Sequence, residues 1–236
     1  MNRRSELRAP AARPSTPTLR ARIRETTVQA ILAAAEEVFA DAGLHAAHMG
    51  TIAAKAGVSV GTLYNHFEDR EALLAGLLAA RHDELVGRLD AALREAEGRP
   101  LRERLRAILG AFASHCEAHR KFVHIVVQRE VGRYQQTYPQ AWAKKTDAMR
   151  NVHERIEAEM RRGVKERALR PEAADLATTF FLGMMRALII RDAAASVRDA
   201  AASVRDMGAP GGDMARDHER LLDAFFGGMG TEGKGS

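Results

Sequence analysis

One short stretch near the N-terminus, residues 57–67, restricts the fold of this chain most strongly. It reads GVSVGTLYNHF. The apolar side chains before it follow the i, i+3, i+4, i+7 spacing of one helix face, at Met49, Ile52, Ala53 and Ala56. Gly57 can take the positive φ that ends a helix, and Ser59 can cap the next one. Two short helices joined in this way predict a helix-turn-helix, which places its second helix in a DNA major groove.

The same letters also fit a different class of site. Residues 57–61 match G-x-S-x-G, the nucleophile elbow of serine hydrolases, with Ser59 as the nucleophile. An elbow follows a buried β-strand, whereas residues 51–56 are alanine-rich and have helical periodicity. The sequence therefore favours DNA binding without enzymatic activity, and a serine hydrolase using Ser59 is the alternative of another class.

Residues from about Arg24 to Leu78 resemble the DNA-binding domain of the TetR family of transcriptional regulators. The likeness rests on a first helix predicted from Thr26 to Ala42, on the block from Ile52 to Phe67, and on the entry into a fourth helix from Phe67 to Leu73. Ala47 and His48 stand where the family often has Ser or Thr, so the second helix is expected to lack its usual side-chain cap.

The resemblance implies an all-α fold with an N-terminal three-helix DNA-binding domain and a larger helical domain for ligand binding and dimerisation. The expected divisions are a disordered basic arm at 1–23, the DNA-binding domain at 24–78 with its helix-turn-helix at about 47–66, the helical domain at 79–227, and a flexible tail at 228–236. The family implies a homodimer joined by its two C-terminal long helices. It also implies a repressor released from double-stranded operator DNA by a small, mostly hydrophobic organic effector, with an activator as the alternative.

Side-chain chemistry assigns roles within the predicted recognition helix. Val60 and Thr62 offer methyl groups to thymine, and Gly61 permits close approach to the DNA. Ser59 can cap the helix and also bind phosphate. Lys55 and Asn65 can bind phosphate or face solvent. The residues predicted to contact DNA are Arg20, Arg22, Arg24, Thr51, Lys55, Ser59, Val60, Gly61, Thr62, Tyr64, Asn65, His66 and Arg70.

Charge is distributed unevenly along the N-terminal part. Residues 1–24 carry seven arginines against one acid, whereas residues 25–70 carry two basic residues against six acids. Attraction to phosphate is therefore expected to come largely from the arm, whose arginines can enter a minor groove. The alternative is a solvated tail that aids solubility. Prolines at 10, 14 and 17 favour disorder in the free arm.

Composition limits the remaining possibilities for this chain of 236 residues. Aromatic residues make up only 5%, and alanine, leucine and arginine are abundant, which favours helices. We expect no membrane-spanning segment, no signal peptide and no cofactor, and hence a cytoplasmic protein. The single cysteine, Cys116, excludes a disulfide within the chain.

The C-terminal part is predicted to be helical over about 71–96, 101–117, 121–133 and 139–167, and again in an apolar segment at 176–190 and from 213 onward. The widths of the last two apolar stripes suit a dimer interface as well as a monomer core. The heptapeptide AAASVRD occurs twice in succession over 193–206. A neutral duplication is favoured over a selected extension of the dimer surface.

Two hypotheses concern ligands of the helical domain. The side chains predicted to line an effector cavity are Phe112, Cys116, His119, Trp142, Phe180, Met184 and Met185. In the second hypothesis, His115 and His119 share one helix face at i, i+4, with Cys116 and His124 nearby, and form a metal or thiol sensor. The cavity is the favoured interpretation, and a metal site is the alternative.

Overall fold

The computed structural model describes residues 18–131, 139–202 and 214–229, and within these ranges every regular element is helical. The predicted all-α class is therefore confirmed. The helices, in chain order, are α1 (Leu19–Ala42), α2 (Met49–Lys55), α3 (Val60–Tyr64), α4 (Arg70–Glu95), α5 (Leu101–Ala118), α6 (Arg120–Val131), α7 (Pro139–Lys165), α8 (Ala174–Ala202) and α9 (Met214–Met229), with a short 3-10 turn at Pro171–Ala173 before α8.

The first three helices and the start of α4 enclose one apolar cluster. α2 and α3 pack against each other, and α1 packs on both α2 and α4. Ile52 and Leu63 are fully buried at the centre of this cluster. Gly57 has a φ of +70°, which lets the chain reverse between α2 and α3. The helix-turn-helix thus forms as predicted, and His48 precedes α2 without a side-chain cap.

α1 begins earlier than the sequence pattern predicts. Its first residue is Leu19 rather than Thr26, and the hydroxyl of Thr18 accepts a hydrogen bond from the N–H of Ala21 at 3.3 Å. Residues 19–23 of the predicted disordered arm are therefore helical. The prolines that favour disorder end at Pro17, immediately before the capping threonine, so nothing opposes a helix from that point. Residues 1–17 lie outside the described part of the chain.

α4 connects the two halves of the molecule. Its first part contributes Leu77 and Leu78 to the N-terminal cluster, and its second part contributes Leu85 and Leu89 to a larger cluster. That larger cluster forms where α4 packs on α5 and α7, α7 packs on α8, and α9 packs on α5 and α8. A domain boundary at 78/79 stays a prediction, but the two clusters divide α4 between Leu78 and Leu85.

α6 lies against both α1 and α8. Phe122 and Ile125 are buried within the N-terminal cluster, whereas Val123 belongs to the larger one. The DNA-binding end therefore packs on two elements that follow it in the chain, α4 and α6. A displacement of either helix is transmitted to α1 through close packing.

An arginine is buried inside the helical domain. Arg104 on α5 is 1% exposed, and its guanidinium donates to Glu159 at 2.6 Å and to Glu166 at 2.9 Å. The same guanidinium donates to the backbone carbonyl of Arg99. These bonds compensate for burial of the charge and tie α5 to α7.

The prediction that no segment is long and apolar enough to span a membrane was wrong. Pro171–Ile190 meets that criterion. Its buried side chains include Ala177, Phe181 and Leu188, which pack into the larger cluster. The segment thus packs partly in the core, while Leu176, Phe180 and Ile190 are exposed. The duplicated heptad at 193–206 lies partly in α8, and its side chains fall outside the described residues.

Candidate nucleic-acid interface and ligand cavity

α3 presents a compact exposed surface at one end of the molecule. Leu63 points into the core and is fully buried, while Val60 and Tyr64 are 46% and 50% exposed. Gly61 and Asn65 are exposed beside them, and Thr51 is exposed on α2. A short helix with accessible small and polar side chains has the shape that a DNA major groove admits.

The start of α3 is fixed by two hydroxyl groups. Ser59 Oγ accepts a hydrogen bond from the N–H of Thr62 at 3.0 Å and lies 2.8 Å from Thr62 Oγ1. The predicted capping role of Ser59 is confirmed. The Thr62 hydroxyl has a structural partner that the sequence did not indicate, so Val60, Tyr64 and Asn65 are the side chains of this helix best placed to meet DNA.

Two predicted phosphate contacts have partners within the protein. Arg70 donates to the backbone carbonyl of His45 at 2.6 Å and reaches that of Ala47 at 3.4 Å, which holds the segment before α2. Lys55 Nζ lies 2.6 Å from a carboxylate oxygen of Glu37, and this hydrogen bond raises the pKa of Lys55 and lowers that of Glu37. The first arrangement joins α4 to the loop before α2 and the second joins α2 to α1, and both were missed from the sequence.

The arginines at the N-terminus of α1 lie on a helix rather than on an extended arm. Arg20, Arg22 and Arg24 are exposed on its first turns. His66, directly after α3, is half-buried. The contact of any of these side chains with DNA stays a prediction.

A cavity of about 590 Å³ lies between α4, α5, α6, α7 and α8. Its wall is mostly apolar, with polar groups at a few positions. That volume and composition are typical of sites for small organic ligands, which measure about 300–1,000 Å³. The lining residues are His82, Leu85, Phe112, His115, Cys116, Phe122, Val123, Val126, Met149, Val152, His153, Thr179, Leu182, Gly183, Met185, Arg186 and Ile189.

The structure divides the predicted cavity residues into two groups. Phe112, Cys116 and Met185 line the cavity. Met184 is buried in the apolar cluster but does not line the cavity, and Phe180 is 42% exposed and stacks on Phe225. His119 is also absent from the lining, because the rotation of α8 and of the end of α5 about their axes decides which side chains face inward. Contact of any of these side chains with a ligand stays a prediction. The side chains of Trp142 and His124 lie outside the described residues.

A polar network lies behind this cavity and reaches α1. Glu36 on α1 is buried, and its carboxylate accepts hydrogen bonds from Arg81 at 2.7 Å and from the N–H of Phe122 at 3.3 Å. On the cavity side, Nε2 of His119 lies 2.9 Å from Oε2 of Glu84. α1, α4 and the junction of α5 with α6 are thus joined by charged groups of low exposure.

Protonation in this network is shifted by burial and by neighbouring charges. Burial alone would raise the pKa of Glu84, but the close approach of His119 and Arg88 lowers it to about 2. Burial, assisted by the neighbouring His119, lowers the pKa of His115 to about 4. At neutral pH, Glu84 is therefore a carboxylate and His115 is uncharged.

Sequence reasoning missed the carboxylates of this network. A signal was present in α1, where Glu36 interrupts a run of apolar residues on the buried face. A second signal was the spacing of Arg81, Glu84 and Arg88 at i, i+3 and i+7, which places three charges on one face of α4. Neither signal identifies its partner, because the groups that meet are distant in the chain.

The structure contradicts the serine-hydrolase alternative. The segment before Ser59 is the helix α2, and a nucleophile elbow needs a strand at that position. The Ser59 hydroxyl serves instead as a helix cap.

Comparison with known proteins adds independent support for the DNA-binding surface. Residues 31–77 match the family model described as bacterial regulatory proteins, tetR family. The transcriptional activator FasR of Mycolicibacterium smegmatis is 44% identical over 87 residues, which make up 37% of this chain and 39% of that protein. The transcriptional regulator UidR of Escherichia coli K12 is 38% identical over 58 residues, or 25% of this chain and 30% of that protein. The matches thus span well under half the length of these relatives.

Solved structures resemble the whole fold. FadR from Bacillus subtilis, determined in complex with stearoyl-CoA, has a TM-score of 0.67 at 19% identity and covers 84% of this chain and 96% of that one. The ketosteroid regulator KstR2 of Mycobacterium tuberculosis has a TM-score of 0.61 at 22% identity, with 87% and 96% covered. At these identities the likeness shows a shared architecture of an N-terminal helix-turn-helix and a helical C-terminal domain.

Proposed function

We propose that this chain, whose helix-turn-helix domain is of the TetR family, is a homodimeric cytoplasmic repressor that leaves its operator when a mostly hydrophobic molecule enters the cavity. The observation that carries the proposal is the position of α4. This one helix supports the DNA-binding cluster through Leu77 and Leu78, and it lines the cavity with His82 and Leu85. A ligand that displaces α4 therefore acts directly on the domain that carries α3.

The proposed mechanism is a shift between two states. In the DNA-binding state, the two α3 helices of a dimer have the spacing of successive major grooves, about 34–36 Å. The effector binds the other state more tightly, and only this difference in affinity can lower the affinity for the operator. α6 offers a second route, since Phe122 lines the cavity and also packs with the DNA-binding cluster.

The proposed effector is an apolar molecule with few polar groups. Apolar wall residues predominate, and polar side chains are confined to a few positions such as Thr179 and Arg186. Fatty acyl and steroid compounds are suitable first probes, because the structurally similar FadR was determined in complex with stearoyl-CoA and KstR2 is a ketosteroid regulator. The proposed contacts with DNA also include the exposed arginines at the start of α1, which are placed to reach phosphate or the minor groove.

An activator is the second candidate function. It is favoured by FasR, which is named as a transcriptional activator and is 44% identical over its matched part. Repressor and activator share the same DNA-binding surface, and they differ in where the operator lies relative to the promoter.

The decisive experiment maps the DNA that this protein occupies in its host and measures transcripts with and without the gene. We expect occupancy at short two-fold-symmetric sites and increased transcription of the neighbouring genes when the gene is deleted. Purified protein should bind these sites in a mobility-shift assay, and a compound from an acyl-CoA and steroid panel should release it. Decreased transcription on deletion would favour the activator, and absence of any specific DNA site would refute both candidates.

The homodimer is proposed to form through α8 and α9. Leu176, Phe180 and Ile190 are 59%, 42% and 45% exposed. At 100° per residue these three apolar side chains lie within a stripe of about 80° on α8. An exposed apolar stripe of this kind is typical of a protein interface.

Replacing Phe180 with glutamate is expected to convert the dimer into a monomer, because the charge would be buried without a partner at the interface. Analytical ultracentrifugation at several protein concentrations measures this change. Ala158→Glu is the matched control, since Ala158 is exposed on α7, outside the stripe of α8. Dissociation by both variants, or by neither, would place the interface elsewhere.

A further inference from the structure

We propose that Glu84, His115 and His119 form a binding site for a divalent transition-metal ion such as Zn²⁺, between α4 and the α5–α6 junction. One carboxylate oxygen and one nitrogen from each histidine lie within 4.8 Å of one another. The rings of His115 and His119 are adjacent, with centroids 4.8 Å apart. The site shares His115 with the wall of the proposed effector cavity, and its other two ligands lie outside the cavity lining.

The strongest observation is a buried nitrogen without a partner. His115 is 3% exposed, and its Nδ1 has no hydrogen-bond partner. A buried polar atom in this state is destabilising relative to one with a hydrogen-bond partner. A metal ion bound to Nδ1 removes that cost, whereas an ion pair between His119 and Glu84 alone leaves it in place.

The contact between His119 and Glu84 is also incomplete as a hydrogen bond. Nε2 of His119 lies 2.9 Å from the carboxylate, yet this buried nitrogen has no hydrogen bond of acceptable geometry. The nitrogen and the oxygen are therefore close but not directed at each other. Two ligands of a common ion have this relationship, because each points at the ion.

The donor set matches the chemistry of zinc and its neighbours in the periodic table. Two imidazoles and a carboxylate suit Zn²⁺, Ni²⁺ and Co²⁺, and water can complete a four-coordinate site. With bonds of about 2.0–2.1 Å, tetrahedral ligand atoms are about 3.3 Å apart, so side-chain rotations must bring the three groups closer. The other carboxylate oxygen of Glu84 is held by Arg88 at 2.9 Å, and Arg81 lies 3.4 Å from Oε2, which orients the side chain.

The position of the site links it to the DNA-binding end. Glu84 lies one turn or two beyond the α4 leucines of the N-terminal cluster, and His119 Nδ1 lies 3.7 Å from Glu36 of α1. An ion bound here would hold α4 against the end of α5. Bound metal would thus restrain the same helix that the effector is proposed to move.

The test uses the full chain as a dimer, freed of any affinity tag and of metal, and titrates it with Co²⁺ as a spectroscopic probe. We expect one Co²⁺ per chain, visible absorption bands of a four-coordinate site, and displacement by Zn²⁺. His115→Ala and Glu84→Gln should each weaken binding at least about tenfold, because loss of a group that only supports a metal ligand already costs about 10–100-fold. His153→Ala is the matched control, because His153 lines the cavity outside the cluster, and it should bind as the wild type does.

Thermal unfolding gives a second readout. Zn²⁺ should raise the midpoint of the wild type and of His153→Ala but not that of the two cluster variants. The proposal is overturned if the wild type binds no Co²⁺. It is also overturned if Glu84→Gln and a folded His115→Ala protein both retain wild-type affinity for Co²⁺. Loss of binding in His153→Ala would also overturn it. If no metal ion binds, the proposed effector response is unaffected, because that response is measured with organic compounds in the absence of metal.

Discussion

Tyr64→Ala is expected to weaken binding to operator and non-operator DNA alike, because the resemblance to the TetR family implies that the Tyr64 hydroxyl donates a hydrogen bond to a DNA phosphate. A hydrogen bond to a charged group is worth about 1.5–3 kcal/mol, and a dimer loses two of them, so the total loss is about 3–6 kcal/mol, or roughly 10²- to 10⁴-fold. Half of the Tyr64 side chain is exposed and its ring supports little of the core, so the protein should remain folded. Fluorescence anisotropy with labelled duplexes at fixed salt measures the effect.

Two further variants show which group is responsible. Tyr64→Phe removes only the hydroxyl, and it should reproduce most of the loss if that group binds phosphate. Val60→Ala removes methyl groups from the exposed face of α3 and should change base preference by about 1–3 kcal/mol per base pair, with little effect on non-specific binding. Unchanged operator affinity in both Tyr64→Ala and Val60→Ala would show that α3 is not the recognition helix.

Cys116→Phe is expected to abolish the response to the releasing compound while leaving operator binding intact. Cys116 is 4% exposed and lines the cavity, so a benzyl group at this position occupies the ligand's volume. In the wild type, ligand at one hundred times its Kd stabilises the folded state by about 2.7 kcal/mol, which raises the midpoint of unfolding by roughly 5–10 °C for a chain of this size. The variant should lose this rise, as measured by differential scanning fluorimetry.

Cys116→Ser is the matched control for that experiment. It nearly preserves the volume of the side chain and removes the thiol, so the compound should still bind and still release DNA. Loss of the response in Cys116→Ser would mean that thiol chemistry, rather than space, is required. A full response in Cys116→Phe would show that the effector binds outside this cavity.

The features of the fold that the sequence predicted correctly depend on local signals. The helix-turn-helix depends on the apolar spacing of α2, on a positive φ at Gly57 and on the cap at Ser59, and each of these acts within a few residues. Prediction therefore succeeded for the all-helical class and for Val60 and Tyr64, which were predicted to meet DNA and are exposed. The late start predicted for α1 was an error of the same local kind, because the prolines end at Pro17 and Thr18 caps the helix directly after them.

The cavity could be predicted only in part, for a physical reason visible in α8. Its turns from Phe180 to Ile190 are apolar on nearly all sides, so periodicity does not show which face is buried. Packing against α6, α7 and α9 sets the rotation of this helix. As a result, Met185 lines the cavity, Met184 packs in the core, and Phe180 faces outward.

The sequence by itself thus determined the class of fold, the position of the helix-turn-helix and the residues of its exposed face, because these follow from backbone preferences and side-chain spacing within single helices. Only the tertiary structure decided which side chains enclose the cavity and which charges meet. Glu36 contacts Arg81, 45 residues away, and Glu84 lies beside His119 on another helix. Such pairs are brought together by helix packing, and their energies depend on burial that no local pattern records.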